Sequence, residues 1–350
     1  MVRAYPERGK MCCIQFDHFH LFCKRVAYEA GLGNDYAALL HEFDRKTKKE
    51  KDHILGVAIP ELAKRALATG KPKKFDTIMI DEGQDYHPEW WNIVRLALVD
   101  DGEMLLVTDV TQDVYGTGKT WTEEAMNGMG FAGGRWARLR KSYRMPPLIQ
   151  DYARDFASRF LPRETADLPE VETAALTIEV CHFRWAQCPD DESAEACVKE
   201  ILLMMCQTGD KGTANADITF LTDDAKAGAA VTQQLARRKI RTVSTFGPEY
   251  RQRRREKMGF YMGRAEIKAT TLHSFKGWES RMLVVHVSQS WTDENKALVY
   301  AALTRLKRSP EGSWLTVVCA APELADYGKT WPNHHERGHG VVLFHATASE

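Results

Sequence analysis

Residues 78–85 read IMIDEGQD, and residues 105–116 read LLVTDVTQDVYG. Each is an apolar strand that runs straight into carboxylates and glutamines. In open parallel sheets, ligands gather beyond the carboxyl ends of the strands. Two such ends, a short helix apart, are how a nucleotide-hydrolysing α/β core presents its metal and water ligands. Hydrolysis of a nucleoside triphosphate needs a carboxylate for Mg2+ and a group that orients the attacking water. Asp81 fits the first role, and Glu82 or Gln112 the second.

Outward from these strands the same alternation recurs. Residues 11–30 form a helical stretch ending at Gly31, and a lysine-rich polar segment runs from Arg45 to Lys51. Ile54 to Leu67 repeats apolar residues at helical spacing. Phe75 to Ile80 reads as a buried strand, Pro88 to Val99 as a helix and Glu103 to Thr108 as a strand. Arg135 to Arg144 leads into a helix that Pro146 and Pro147 open. A polar, proline-containing link from Arg159 to Ala174 marks a domain boundary. Beyond it the spacing predicts strands at Leu176–Phe183, Asp217–Leu221, Ile267–Thr271, Met282–Val287 and Trp314–Cys319. Helices are predicted at Ser193–Cys206, Ala225–Arg238 and Glu294–Leu306. Alternating strands and helices imply parallel sheets with covered faces. The fold class is α/β, in two domains over 1–158 and 159–320, with a tail of little periodicity over 321–350.

The length carries a soft prior of two domains. Lys and Arg together number 48, as do Asp and Glu. This balance removes any overall basic pull on nucleic acid, but a local patch matters more than the sum. The eight cysteines contain no CxxC pair and mostly sit inside apolar runs. They read as buried free thiols of a reducing compartment. There is no signal peptide, and no apolar run approaches the roughly 20 residues a membrane helix needs. A soluble, cytoplasmic chain with no membrane partner is expected.

The ordered motifs resemble those of superfamily 1 DNA helicases of the UvrD/Rep type. DEGQD (81–85) is similar to the family's DExQD Walker B box, and TDVTQDVYG (108–116) to its GDxxQxIY box. LRKSYR (139–144) resembles LxxNYR, TTLHSFKGWE (270–279) resembles TxHxxKGLE, and VYAALTRLK (299–307) resembles YVALTRAK. HFHLFC (18–23) is a weaker match to TFHxxC. The resemblance covers residues 11 to 320 and rests on the order of the boxes together. It implies two RecA-like parallel-sheet domains with an ATP cleft between them. ATP and Mg2+ are the implied cofactors, single-stranded or partly duplex DNA the partner, and DNA repair the setting. Asp81 is the implied Mg2+ ligand, Glu82 the activator of water and Gln112 the γ-phosphate sensor. Arg144 and Arg305 are implied clamps on the γ-phosphate. Gly277 and Glu279 belong near the ribose, Thr271 and His273 couple the cleft to DNA, and Tyr115 and Phe19 stack on bases.

Blander alternatives stay open for several of these. Asp81 and Glu82 can be an ordinary strand-end acidic pair, and His273 a satisfied core histidine. Tyr115 and Phe19 can be core rings, and Arg305 a surface arginine on an amphipathic helix. The run Arg251 to Lys257 is either a solvated loop or a phosphate-contact patch. His334, His335 and His339 have metal-like spacing but only Glu336 beside them.

Two departures from the family matter. Its phosphate loop, GxxxxGK[ST], precedes the Walker B box, and the eighty residues before Asp81 contain no such pattern. The resemblance therefore implies a first domain that is N-terminally incomplete, with the loop on a separate or preceding segment. The string GTGKT at Gly116–Thr120 follows the Walker B box, and Asp113 stands where the loop's first glycine belongs. It reads as a continuation of the Gln112 box, and a different NTPase using Lys119 is the competing reading. Without a loop, electrostatic stabilisation of the transferring phosphoryl group is incomplete. A catalytically inactive remnant that binds nucleic acid or a protein is then the alternative to a working motor. The second departure concerns size: between Arg144 and Thr270 there is room for one half of a second motor domain but not for the inserted accessory domain of many relatives, and Ser142 stands where the family prefers asparagine.

Overall fold

The computed structural model describes residues 14–83, 86–108, 137, 141–142, 145–161, 170–171, 180–207, 214–247, 256, 260, 263–275 and 277–336. The chain divides into two compact units. Unit 1 is Met1–Asp109 with Gly116–Arg135, and unit 2 is Val110–Tyr115 with Trp136–Glu350.

Unit 1 begins with α1 (Phe19–Glu29) and α2 (Gly33–Leu39). A longer helical run follows, made of α3 (Lys48–His53), a π-helical turn (Ile54–Ala58) and α4 (Ile59–Ala68). A capping box starts it. The Thr47 hydroxyl accepts from the Glu50 N–H, and the Glu50 carboxylate accepts from the Thr47 N–H at 2.8 Å. The π turn has an identifiable cause. Ile59 N–H donates to Ile54 O, five residues back. In that register Leu55 O would take the next N–H, but residue 60 is proline and has none. His20 Nε2 lies 2.9 Å from Leu55 O and donates to it instead. Burial lowers the His20 pKa, which keeps the ring neutral with its proton on Nε2.

Strands β1 (Phe75–Ile80) and β2 (Leu98–Leu106) form a parallel pair joined through α5 (Pro88–Arg95). The helix stops at Arg95, and β2 starts at Leu98, earlier than the spacing predicts. Side chains alternate across a strand. Ile78, Ile80, Met104 and Leu106 pack toward the helices. The other face leaves Met79 72%, Leu105 48% and Val107 43% exposed. Strand β1 was expected to be buried, yet only Ile80 is.

Unit 2 contains α6 (Pro147–Phe160), a small parallel pair β3 (Lys141–Ser142) and β4 (Glu170–Val171), and a larger sheet. The larger sheet comprises β5 (Cys181–Gln187), β6 (Ile218–Thr222), β7 (Thr242–Ser244), β8 (Ile267–Thr271), β9 (Met282–Val287), β10 (Ser313–Cys319) and β11 (His334–Glu336). Its order is β11-β5-β10-β9-β6-β8-β7, with every pair parallel. On one face lie α7 (Ser193–Met205) and α8 (Ala225–Arg237), over Ala186, Phe220, Met282 and Val284. On the other lie α6, α9 (Asp293–Leu303) and the Leu324–Trp331 segment that includes α10 (Ala325–Gly328), over Phe183, Trp185, Val285 and Val317. Both faces are covered, as continuous apolar strands require.

The structure draws the organisation differently from the sequence in three places. Helix α6 was assigned to the first domain, but Ile149, Ala153, Phe156 and Ala157 pack in the core of unit 2. The strand expected at Leu176–Phe183 lies at Cys181–Gln187. The tail is also part of the fold as far as Glu336, because β11 pairs with β5 through His334, His335 and Glu336.

Candidate functional site

At the carboxyl end of β1 the chain turns sharply. The Glu82 N–H donates to Asp81 Oδ1 at 2.9 Å, and Gly83 N–H donates to Val107 O at 2.8 Å. Glu82 has φ +53°, in the left-handed region, which costs a side-chain-bearing residue about 1–2 kcal/mol. Gly83 is required here, because a Cβ would stand 2.5 Å from the Leu106 side chain and 3.0 Å from Val107 O. Strained backbone kept at a strand end is a reason to ask what the side chain does. Asp81 is exposed, with one carboxylate oxygen orienting the turn. Its other lone pairs suit a hydrated Mg2+, which is held through few carboxylates and several waters.

Phe19 lies elsewhere. It is 7% exposed, and its ring stacks on Trp90 at 4.2 Å between centroids with an 11° tilt. Tyr86 meets it edge-on at 5.4 Å. The face a nucleobase would use is occupied by Trp90, so the ring is core.

In unit 2 the segment after β8 crosses from one edge of the sheet to the other. Thr271 ends β8. Its hydroxyl donates to Ser274 Oγ at 3.0 Å and accepts from Ser274 N–H at 3.2 Å, starting a short 3-10 turn over His273–Phe275. Gly277 has φ +81°, a conformation glycine adopts without cost. Ser280 then pairs with the end of the α9 segment: its N–H donates to Arg305 O at 3.2 Å, and Lys307 N–H donates to Ser280 O at 2.8 Å. Gly277, Glu279 and Arg305 are thereby gathered at the amino edge of β9. Arg305 is 3% exposed, so it is no surface arginine. Thr271 and His273 stay at the carboxyl edge. Thr271 shares a row with Thr222 and His286, and Ser280 lies six residues before His286. At about 3.3 Å per residue that is roughly 20 Å.

Behind Ser280, the hydroxyl donates to Asp217 O at 2.7 Å. Arg281 bridges Asp217 at 2.6 Å and Glu311 at 3.0 Å. This fixes the start of β9 and hence the Ser280–Arg305 pairing.

The carboxyl edge holds a network that the sequence reading did not single out. The buried Asp223 carboxylate accepts from Ser288 N–H at 3.0 Å, Ser288 Oγ at 2.8 Å and Asn295 Nδ2 at 2.9 Å. His286 Nδ1 is 2.8 Å from Thr222 Oγ1 and 4.0 Å from Asp223 Oδ1. Burial lowers the His286 pKa against the pull of Asp223, Asp224 and Asp190. The only trace in the sequence is a histidine inside the apolar run MLVVHV.

A scan against protein-family models matches none of them, and a search of curated proteins finds no match. Among solved structures, the chain is similar to the C-terminal domain of a possible DNA helicase from Lactobacillus plantarum WCFS1. The identity is 12% and the TM-score 0.36, over 56% of this chain and 98% of that one. The chemistry is therefore argued from the residues alone.

Gln112, Tyr115 and Arg144 lie outside the described residues, as do Gly116–Thr120, His339 and the Arg251–Lys257 run apart from Glu256. Among the described residues no group of three or more His, Cys, Asp or Glu side chains could hold a metal, so His334 and His335 with Glu336 form no such site. The cysteines at 23, 181, 188, 197, 206 and 319 are all free. No helix of the described residues is long and apolar enough to cross a membrane.

Proposed function

We propose that the chain is the motor portion of an ATP-driven, single-stranded DNA translocase of the superfamily 1 type, built on two RecA-like units. The observation that carries this is the pairing of Ser280 with Arg305 and Lys307. It unites two motif segments distant in sequence, while Thr271 and His273 stay at the opposite edge. One segment thus links a nucleotide-facing set to a strand-facing set, which a motor needs.

In this reading Asp81 holds the hydrated Mg2+, which neutralises charge on the phosphates. Glu82 takes the proton of the attacking water. Arg305 presents a planar fork of donors to the γ-phosphate, a task lysine performs poorly. Gly277 allows the backbone to approach the ribose, and Glu279 accepts from its hydroxyl.

A second reading is favoured by the missing GxxxxGK[ST] pattern. The same chain then binds nucleic acid without hydrolysis. The test uses the 350-residue protein first alone and then with a polypeptide carrying a phosphate loop. Alone it is expected to show little or no DNA-stimulated ATPase. When supplemented, Glu82→Gln should lower turnover at least about a hundredfold with nucleotide binding kept. Arg305→Ala should lower it about a thousandfold, without rescue by Arg305→Lys. Full rescue by lysine would overturn the role of Arg305 and unchanged turnover in Glu82→Gln that of Glu82, while robust turnover by the chain alone would overturn the need for a supplied phosphate loop. No turnover under any supplementation selects the second reading.

A further inference from the structure

Helix α8 ends in a five-residue turn, Arg237-Arg238-Lys239-Ile240-Arg241, that carries four cations. Its geometry is a Schellman motif. Ile240 N–H donates to Leu235 O at 3.0 Å, and Lys239 N–H donates to Ala236 O at 2.9 Å. This places Lys239 at φ +61°, in the position glycine normally takes. A lysine there costs about 1–2 kcal/mol that glycine would not, so its side chain has to be explained by something other than the turn.

The turn borders a groove of about 430 Å³, lined by Met205, Asn215, Ile240, Arg241, Glu266 and Ile267 with Lys239 at the rim. That volume is within the usual range for small-ligand sites, about 300–1,000 Å³. Its lining is mixed, with Met205, Ile240, Ala265 and Ile267 apolar and Asn215, Lys239, Arg241 and Glu266 polar. Among the described lining residues the one carboxylate, Glu266, is already paired with Arg264 at 3.3 Å. Lys239 and Arg241 are exposed, leaving the rim net positive.

We infer that this groove is a second nucleic-acid contact, in which Lys239 and Arg241 hold a backbone phosphate of a single strand and a base lies against Met205, Ile240 and Ile267. Charge complementarity selects a polyanion, and the apolar side chains of Met205, Ile240 and Ile267 select one with flat, apolar groups. The choice of nucleic acid rests on the motor reading above. The groove itself lies apart from Thr271 and His273, at the amino edge of β7 and β8.

The experiment measures binding of a fluorescein-labelled oligo-dT of about 20 nucleotides by the full chain across a salt series. Lys239→Gly suits the backbone and removes the cation. Its thermal midpoint should hold or rise, while affinity falls about tenfold, the scale of one charge-assisted hydrogen bond. The slope of log K against log salt should shrink by about one. Lys239→Arg should restore both. Wild-type affinity and slope in Lys239→Gly would overturn the inference, as would a lowered midpoint in that variant or equal competition by poly-glutamate. His273→Ala, measured in parallel, separates the two ideas. If it loses binding and Lys239→Gly does not, the motor reading stands and the groove falls; if only Lys239→Gly loses binding, the groove stands without Thr271 and His273.

Discussion

Strands β1 and β9 have the same length and both pair in parallel, β1 with one described neighbour and β9 with two, yet all six residues of β9 are buried and only one of β1 is. Their sequences, FDTIMI and MLVVHV, account for part of this through Asp76 and Thr77, but not for the exposed Met79. The rest of the difference lies in the layers around them. Helices cover β9 on both faces, whereas among the described residues β1 has helices packed on one face only. Apolar character sets what a strand can bury, and its neighbours set what it does bury.

The contrast can be broken most directly by truncation. Phe220→Ala in β6 removes a fully buried ring and should cost about 3–5 kcal/mol. Met79→Ala in β1 removes an exposed side chain and should change stability by no more than about 0.5 kcal/mol. Denaturant unfolding of both variants decides the matter, and a Met79→Ala loss above about 1.5 kcal/mol would mean that the open face of β1 is covered in solution.

The exception within unit 1 is its turn at Gly83. Gly83→Ala puts a methyl group into Leu106 and Val107 O and should cost about 1–3 kcal/mol. Full stability would show that the turn after Asp81 is free to rearrange.

Acid sharpens the comparison further. His286 in unit 2 is more deeply buried than His20 in unit 1, and burial lowers both pKa values from their ordinary 6.5. A lowered native pKa means the unfolded state takes up the proton first. Stability is therefore full above about pH 6.5 and falls as pH drops below it. The loss should follow His286: His286→Gln should flatten the acid limb of a stability–pH profile more than His20→Gln. An unchanged limb in His286→Gln would show that the Asp223 carboxylate accommodates the charged ring.

Much of this was legible in the sequence. Strands β6, β8, β9 and β10 and helices α7 and α8 fall within a residue or so of their predicted bounds, because each is a long apolar pattern bounded by polar residues. Strands β7 and β11 were missed, since three residues carry no period. The apolar stripe of Pro147–Phe160 announces an amphipathic helix without saying which core receives it, so the first boundary was set too late. At the site, the strand ends and the ordered motifs were readable. The Asp223 network was not, because its donors arrive from β9 and α9. Nor was the strain at Glu82 and Lys239, which exists only in a backbone angle.

The larger sheet is finished at both sides by strands of three residues, β7 and β11. Each offers a neighbouring chain too few unpaired backbone groups to extend the ladder, one of the devices by which natural sheets avoid growing into fibrils. Among the described residues, the sheet of unit 1 consists of strands of six and nine residues, with the apolar Met79, Leu105 and Val107 exposed beside them. Of these two sheets, the smaller one therefore carries the longer strand edges and the larger liability to self-association.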